Sequence, residues 1–247
     1  MLIISYRYSM RKRISNHDIP SYQRGGRGIV SKILIACEYS GVVRSAFAAL
    51  GHDAWSCDLL PTEIPGQHIQ DDVRNVLDAG WDLMIAHPPC TYLSYAANHV
   101  WNEPGRAYKR LEAYDLFMAC YNAPIPHICI ENPNGYPSEA FRGADQVIHP
   151  YFFGDRVLKR THLWLKNLPR LRATNYTEYP EALYTHTRQP SKYYTGNEIK
   201  KRHFVDYGSK DAQERSKTFS GIAAAMANQW GNIDALPVQY NLFEDAS

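Results

Sequence analysis

Short apolar runs alternate along the chain with stretches of helical period. Lys32-Ile33-Leu34-Ile35-Ala36-Cys37 reads as a strand, and a helix from Val42 to about Leu50 follows it, stopped by Gly51. Ala54-Trp55-Ser56-Cys57 reads as a second strand, ending at Asp58. A loop with Pro61, Pro65 and Gly66 then leads to Ile69 and the pair Asp71-Asp72, and Val73 to Leu77 reads as a short helix. Trp81 to Ala86 is a buried strand, stopped by two prolines. Arg106 to Asn122 has the pattern of an amphipathic helix, and Pro126-His127-Ile128-Cys129-Ile130 that of a strand delivering Glu131. Thr161 to Leu165 reads as one more strand, and Arg215 to Gln229 as a helix, with Phe219, Ile222, Met226 and Trp230 near helical spacing. Strand and helix in alternation predict an α/β domain, a mostly parallel sheet with helices on both faces.

Composition divides the chain further. Residues 1–30 are basic and without sustained period, and read as a flexible arm. Residues 31–166 form the expected core, 167–214 a small Pro-, Thr-, Asn- and Tyr-rich looped region, and 215–247 a helix returning to the core plus a tail. The net charge of +2 conceals a segregation: +5 over residues 1–28, −8 over 29–155, +8 over 156–217 and −3 over 218–247. The basic block, interleaved with Tyr176, Tyr179, Tyr184, Tyr193, Tyr194 and Tyr207, suits phosphates and stacked bases, with Lys200, Lys201 and Arg202 as its densest cluster. Its ordinary alternative is a solvated face. Five cysteines, none spaced Cys-x-x-Cys, argue against a disulfide framework and a zinc knuckle. No stretch reaches transmembrane length, and the apolar N-terminal segment is too short for a signal peptide. The expectation is a cytoplasmic protein, a monomer, with neither membrane nor metal partner.

Chemistry concentrates at strand ends. Pro88-Pro89-Cys90 closes one apolar run and Glu131-Asn132-Pro133 another. In an open α/β sheet ligands bind beyond the carboxyl ends of the strands, so this thiol and this carboxylate can face one site. The pair suits attack of a thiolate on an electron-poor ring while an acid steadies a ring nitrogen. A buried, inert thiol is the commoner fate of a cysteine, but Cys90 follows Pro-Pro at a strand end, with Ser94 nearby. Its activation calls for a cation, and Arg160 or the pair Lys159-Arg160 is the candidate.

The first loop, Cys37-Glu38-Tyr39-Ser40-Gly41, joins strand to helix, so backbone donors and a helix N-terminus are expected to face the crevice. With Gly41 alone it is no G-x-G-x-x-G loop, and it lacks the Lys-Ser/Thr of a P-loop. Asp58 is placed for ribose hydroxyls and Asp72 for an adenine amine. Each acid alone is ordinary at a strand end; in register they suit an adenosine cofactor without pyrophosphate, such as S-adenosylmethionine.

The order of these pieces resembles the cytosine-5 DNA methyltransferase family. The matching positions are Glu38 to Gly41, Asp58, Asp72-Val73, Pro88-Pro89-Cys90, Glu131-Asn132-Pro133 and, loosely, Arg215 to Gly231. From Ile33 to about Trp230 the chain is similar to compact phage-type proteins described as cytosine methyltransferase-like. The resemblance implies an S-adenosylmethionine-dependent methyltransferase (Rossmann-like) fold with a much reduced target-recognition region. It implies a cofactor site of Cys37, Glu38, Tyr39, Ser40, Gly41, Asp58, Leu59, Asp72, Val73 and Pro88. Cys90 is then the nucleophile, with Glu131 on the base and Arg160 assisting, and Ser94, Asn132, Lys159, Lys200, Lys201 and Arg202 meet the substrate. Thr91 stands where the family has Gln, Pro133 where it has Val, and no Gln-x-Arg-x-Arg element is evident.

The expected activity is methylation of cytosine C5 in DNA, either duplex with the base flipped out or single-stranded. Rivals are the same chemistry on RNA or a free cytosine nucleotide, and a catalytically inactive nucleic-acid-binding relative. An amino-methyltransferase is weaker, because His87 precedes Pro-Pro and Cys90 follows it.

Overall fold

A computed structural model describes residues 30–95, 102–155, 157, 159–175, 186–187, 199–200 and 217–233. Its centre is a sheet whose strands are β1 (Lys32–Ala36), β2 (Asp53–Asp58), β3 (His68–Gln70), β4 (Leu83–Ala86), β5 (His127–Asn132), β6 (Gln146–Ile148) and β7 (Thr161–Lys166). Their spatial order is β3-β2-β1-β4-β5-β7-β6. β1 pairs in parallel with β2 and β4, β2 with β3, and β4 with β5, while β7 lies antiparallel to both β5 and β6. This is a mostly parallel α/β sheet with one reversed strand.

β4 and all of β1 past Lys32 are apolar and buried because both faces are covered. In β1, Ile33 and Ile35 join one core and Leu34 and Ala36 the other. The first core lies under α1 (Val42–Ala49) and α4 (Ser220–Trp230), where Val43 and Phe47 meet Ile222, Ala223, Met226 and Trp230. The second lies under α2 (Arg106–Tyr121) and a 3-10 turn at Val73–Asn75, where Phe117, Cys120, Val73 and Val76 pack with Trp164. A short helix, α3, spans Pro137–Ala140. The end of α4 is tied back to the sheet by Trp230 Nε1–H donating to the Pro169 carbonyl (3.0 Å) and Ser31 Oγ donating to that of Gly231 (3.2 Å).

Some elements differ from the sequence reading. α4 begins at Ser220, not Arg215, because Phe219 is extended (φ −72°, ψ 142°). Gly221 follows, where a Cβ would lie 2.1 Å from the Phe153 carbonyl oxygen; its bare backbone lets the helix close on that loop. β5 runs two residues past Ile130, so Glu131 and Asn132 sit inside the ladder opposite Leu163 and His162. β6 was missed, being three residues long. Within the region read as loops, β8 (His186–Thr187) pairs antiparallel with β9 (Ile199–Lys200). The arm before residue 30, Lys201, Arg202, most of the looped basic region and the tail after 233 lie outside the described residues.

Candidate active site

The strand order reverses between β1 and β4, and the carboxyl ends of β1 to β5 all open on one edge. Two groups of side chains meet there. Beyond β1–β3 lies a cleft of about 430 Å³, its open mouth included, lined by Cys37, Cys57, Asp58, Leu59, Asp71, Asp72, Val73, Arg74, Pro89 and Leu116. Cys90 lies beyond β4, and Glu131 lies next to the carboxyl-terminal residue of β5.

The cleft collects five of the residues assigned to the cofactor: Cys37, Asp58, Leu59, Asp72 and Val73. Cys37 adopts a left-handed backbone (φ 57°), turning the chain out of β1. Asp58 Oδ1 accepts from the Leu60 amide (2.9 Å), and the chain past it leaves Leu59 71% exposed. Asp72 is not simply open to a ligand. It caps the 3-10 turn by accepting from the Arg74 amide (3.0 Å), and the Arg74 guanidinium grips both its oxygens. The Arg74 hydrogen bonds outweigh burial and hold its carboxyl below the ordinary range. Pro89, rather than the assigned Pro88, faces this cleft.

The first loop differs from expectation. Glu38 is buried and folds back on α1, its Oε1 accepting from the Val43 amide (2.7 Å) and its Oε2 from that of Arg44 (3.2 Å). Ser40 Oγ donates to the same carboxylate (3.2 Å). The helix N-terminus is thus satisfied from within, not open to the crevice. Gly41 starts the helix at φ 74°, where a Cβ would also fall 2.6 Å from Arg44 Nη2. Arg44, unremarked in the sequence, is buried and ties α1 to β2 and the loop after it. Its guanidinium donates to Ser56 Oγ (3.2 Å), Thr62 Oγ1 (3.3 Å) and the carbonyls of Gln67 and Ile64. Tyr39 contributes its carbonyl, which accepts from the Glu63 amide (2.9 Å). A carboxylate seated on the helix amides leaves no room there for a pyrophosphate, whereas a cleft edged by Asp58, Asp71 and Asp72 fits a ribose and a cationic sulfonium. The residues present therefore fit S-adenosylmethionine.

Cys90 is exposed, and it is the one exposed thiol among the five cysteines. Enough protein surrounds its sulfur for burial, reinforced by the Glu131 carboxylate, to raise its pKa above the ordinary value; Lys159 pulls the other way. The cation here is Lys159. Arg160 is exposed and its charge acts on His149 and His162 instead. For Glu131, burial opposes ionisation, but a hydrogen bond with His87 and the charge of Lys159 outweigh it and hold the carboxyl below its ordinary range. The His87 Nδ1 to Glu131 Oε2 distance is 3.2 Å. No single-residue signal marked His87, because its partner lies 44 residues away in sequence.

Asn132 was assigned to the substrate, but it is 1% exposed and its Nδ2 donates to the Pro88 carbonyl (2.7 Å). It braces the Pro-Pro turn that presents Cys90. Ser94 continues that brace: its amide donates to the Cys90 carbonyl (2.9 Å), and it bridges to Gly135. From the other side, Arg106 donates to the Thr91 carbonyl (3.1 Å) and Arg110 to that of Tyr92 (2.9 Å). Lys200 lies in β9, which belongs to a separate two-stranded sheet. Among the described residues no cluster of His, Cys, Asp and Glu could hold a metal ion, and no helix is long and apolar enough to cross a membrane.

Neither a family model nor a curated protein matches the sequence. Among solved structures, the chain is similar to an E. coli protein described as a candidate DNA modification methyltransferase encoded within a prophage, at 15% identity and a TM-score of 0.37. That match covers 54% of this chain and 45% of the other, so it spans less than half of its neighbour.

Proposed function

We propose that the chain is an S-adenosylmethionine-dependent methyltransferase of cytosine C5, acting on DNA, with Cys90 as nucleophile and Glu131 on the base. The observation that carries this reading is the meeting of one exposed thiol, one half-buried carboxylate held below its ordinary pKa and the Lys159 cation at the ends of adjacent strands, beside an acid-edged cleft.

The cofactor, when bound, supplies an electrophilic methyl group. Asp58 would hold its ribose, and the apolar walls Val73, Leu116 and Pro89 its adenine. Cytosine C5 is a poor nucleophile until C6 is attacked. The Cys90 thiolate forms the bond to C6, and the displaced ring electrons gather toward N3, where Glu131 steadies them. C5 then takes the methyl group, its proton departs to solvent, and the Cys90 bond breaks to restore the ring. In a duplex the base must leave the stack to reach Cys90.

The test is incubation of the full chain with methyl-labelled S-adenosylmethionine and cytosine-containing DNA, RNA and dCMP in parallel. Label on C5 of cytosine in DNA is expected. Transfer to dCMP alone identifies a nucleotide-level enzyme, and transfer to none of the three defeats the catalytic reading.

A further inference from the structure

His87 has no part in the chemistry above, yet it touches the group that does. β4 and β5 pair in register as far as Ala86 opposite Ile130, so His87 and Glu131 come next in line on the same face. The His87 amide is fixed by donating to the Ala36 carbonyl (2.9 Å). Its ring closes on Glu131 at 3.2 Å, with side chains only 9% and 14% exposed. The other ring nitrogen, Nε2, is buried without a hydrogen-bond partner among the described residues. A proton on this ring therefore has one protein route, from Nδ1 to Oε2.

Cytosine presents an amine, which donates, beside N3, which accepts. An ionised carboxylate can accept from the amine but has nothing to offer N3. Attack at C6 drives an electron pair onto N3, so the step needs one proton there. We propose that His87 is a positioning residue that shares a proton with Glu131 and passes it, through that carboxyl, to N3 of the bound cytosine. This rests on the cytosine reading above.

In the attacking step, the imidazolium Nδ1–H moves to Oε2 and the carboxyl gives its proton to N3, leaving His87 neutral. The thiolate pair of Cys90 becomes the S–C6 bond, the C5–C6 π pair shifts to C4–C5, and the C4–N3 π pair becomes the lone pair on the protonated N3. When the Cys90 bond breaks, the N3 proton returns by the same route. Among the described residues, the charges acting on this carboxyl are His87 and Lys159, and Glu131 in turn acts on Cys90 and Cys129. The relay runs only while a proton is held between His87 and Glu131, so the alkaline side of the rate profile reports it.

Two measurements on the full-length protein test this. In the first, histidine rings labelled with nitrogen-15 are titrated by NMR, with His87→Asn assigning the signal. The His87 signal should report the Glu131 carboxylate beside it, so its titration curve should change in Glu131→Gln. In the second, His87→Asn and His87→Gln keep a donor toward Glu131 but cannot carry the extra proton. Methyl transfer should drop on the order of 10²-fold, its alkaline limb should move to lower pH, and cofactor affinity should hold. A ring signal that ignores Glu131→Gln overturns the proposal, as does a variant rate profile of wild-type shape. A coupled pair in a protein that moves no methyl group keeps the shared proton but removes cytosine as its acceptor.

Discussion

At the scale of residues, the two groups with the clearest chemistry were legible because the chain breaks its own pattern at them. Cys90 follows two prolines that no strand accommodates, and Glu131 is a carboxylate in an otherwise apolar run. Their partners were not legible. Glu38 and Asp72 are acids of the expected type at the expected places, but nearby amides and Arg74 claim them. Residue type at a strand end does not say whether a donor in the next turn reaches it first. Replacing Cys90 with Ser should abolish transfer while leaving cofactor affinity within severalfold, read by labelled transfer and by calorimetry. The raised pKa of the thiol makes a second expectation. Alkylation of Cys90 by iodoacetamide should be slow near neutrality and climb with pH beyond the ordinary thiol range, because only the thiolate reacts. Glu131→Gln removes a neighbouring negative charge and should speed alkylation at fixed pH; Lys159→Gln should slow it. Reversed signs would show that these charges do not face the sulfur. Asp58→Ala should weaken cofactor binding by about 1–3 kcal/mol, the loss of a hydrogen bond to a charged group; an unchanged calorimetric titration would place the cofactor elsewhere.

At the scale of elements, hydrophobic period was a sound guide where runs were long. β1, β4 and α2 fall within two residues of their predicted bounds, because the strands are apolar through their interiors and α2 is long enough to show a helical period. Period failed at β6, too short to show one, and at the start of α4, where an extended Phe219 overrides a helical spacing. The reversal of β7 was also invisible, since an apolar run reads alike in either direction. The brace around Cys90 is an element-scale device of this kind. Gly135 lies so close to the segment after Cys90 that a Cβ would sit 2.1 Å from the Leu93 carbonyl oxygen. That oxygen accepts from the Tyr136 amide (2.8 Å), and the Tyr95 amide donates to Asn134 (3.3 Å). Gly135→Ala must push backbone against backbone, so it should cost about 1–3 kcal/mol in urea unfolding, as overpacking does. It should also lower transfer more than cofactor affinity, because apart from Pro89 the cleft beyond β1–β3 is lined by other segments. Equal losses in both would mean that the two halves of the site do not move separately.

For the whole molecule, the division of charge sets where a polyanion can approach. The −8 of residues 29–155 includes the acids that edge the cleft, and it repels phosphate from most of that half. The +8 of residues 156–217 begins at the approach to β7, where Lys159 already faces Glu131, and the basic residues before 29 add a second attraction. On the proposed reading, the basic block is where the charge favours a nucleic acid. Binding that releases counterions weakens steeply with salt, so affinity for DNA should fall markedly between low and physiological ionic strength. Neutralising Lys200, Lys201 and Arg202 together should flatten the dependence of log affinity on log salt by about one unit for each phosphate that is no longer neutralised. Deleting residues 1–28 should weaken DNA binding and spare cofactor binding, since that segment precedes β1. Fluorescence anisotropy with labelled DNA across a salt series separates the outcomes. If the triple neutralisation changes neither affinity nor slope, the basic block is a solvated face, and a free cytosine nucleotide becomes the better substrate, because a single phosphate needs no extended track.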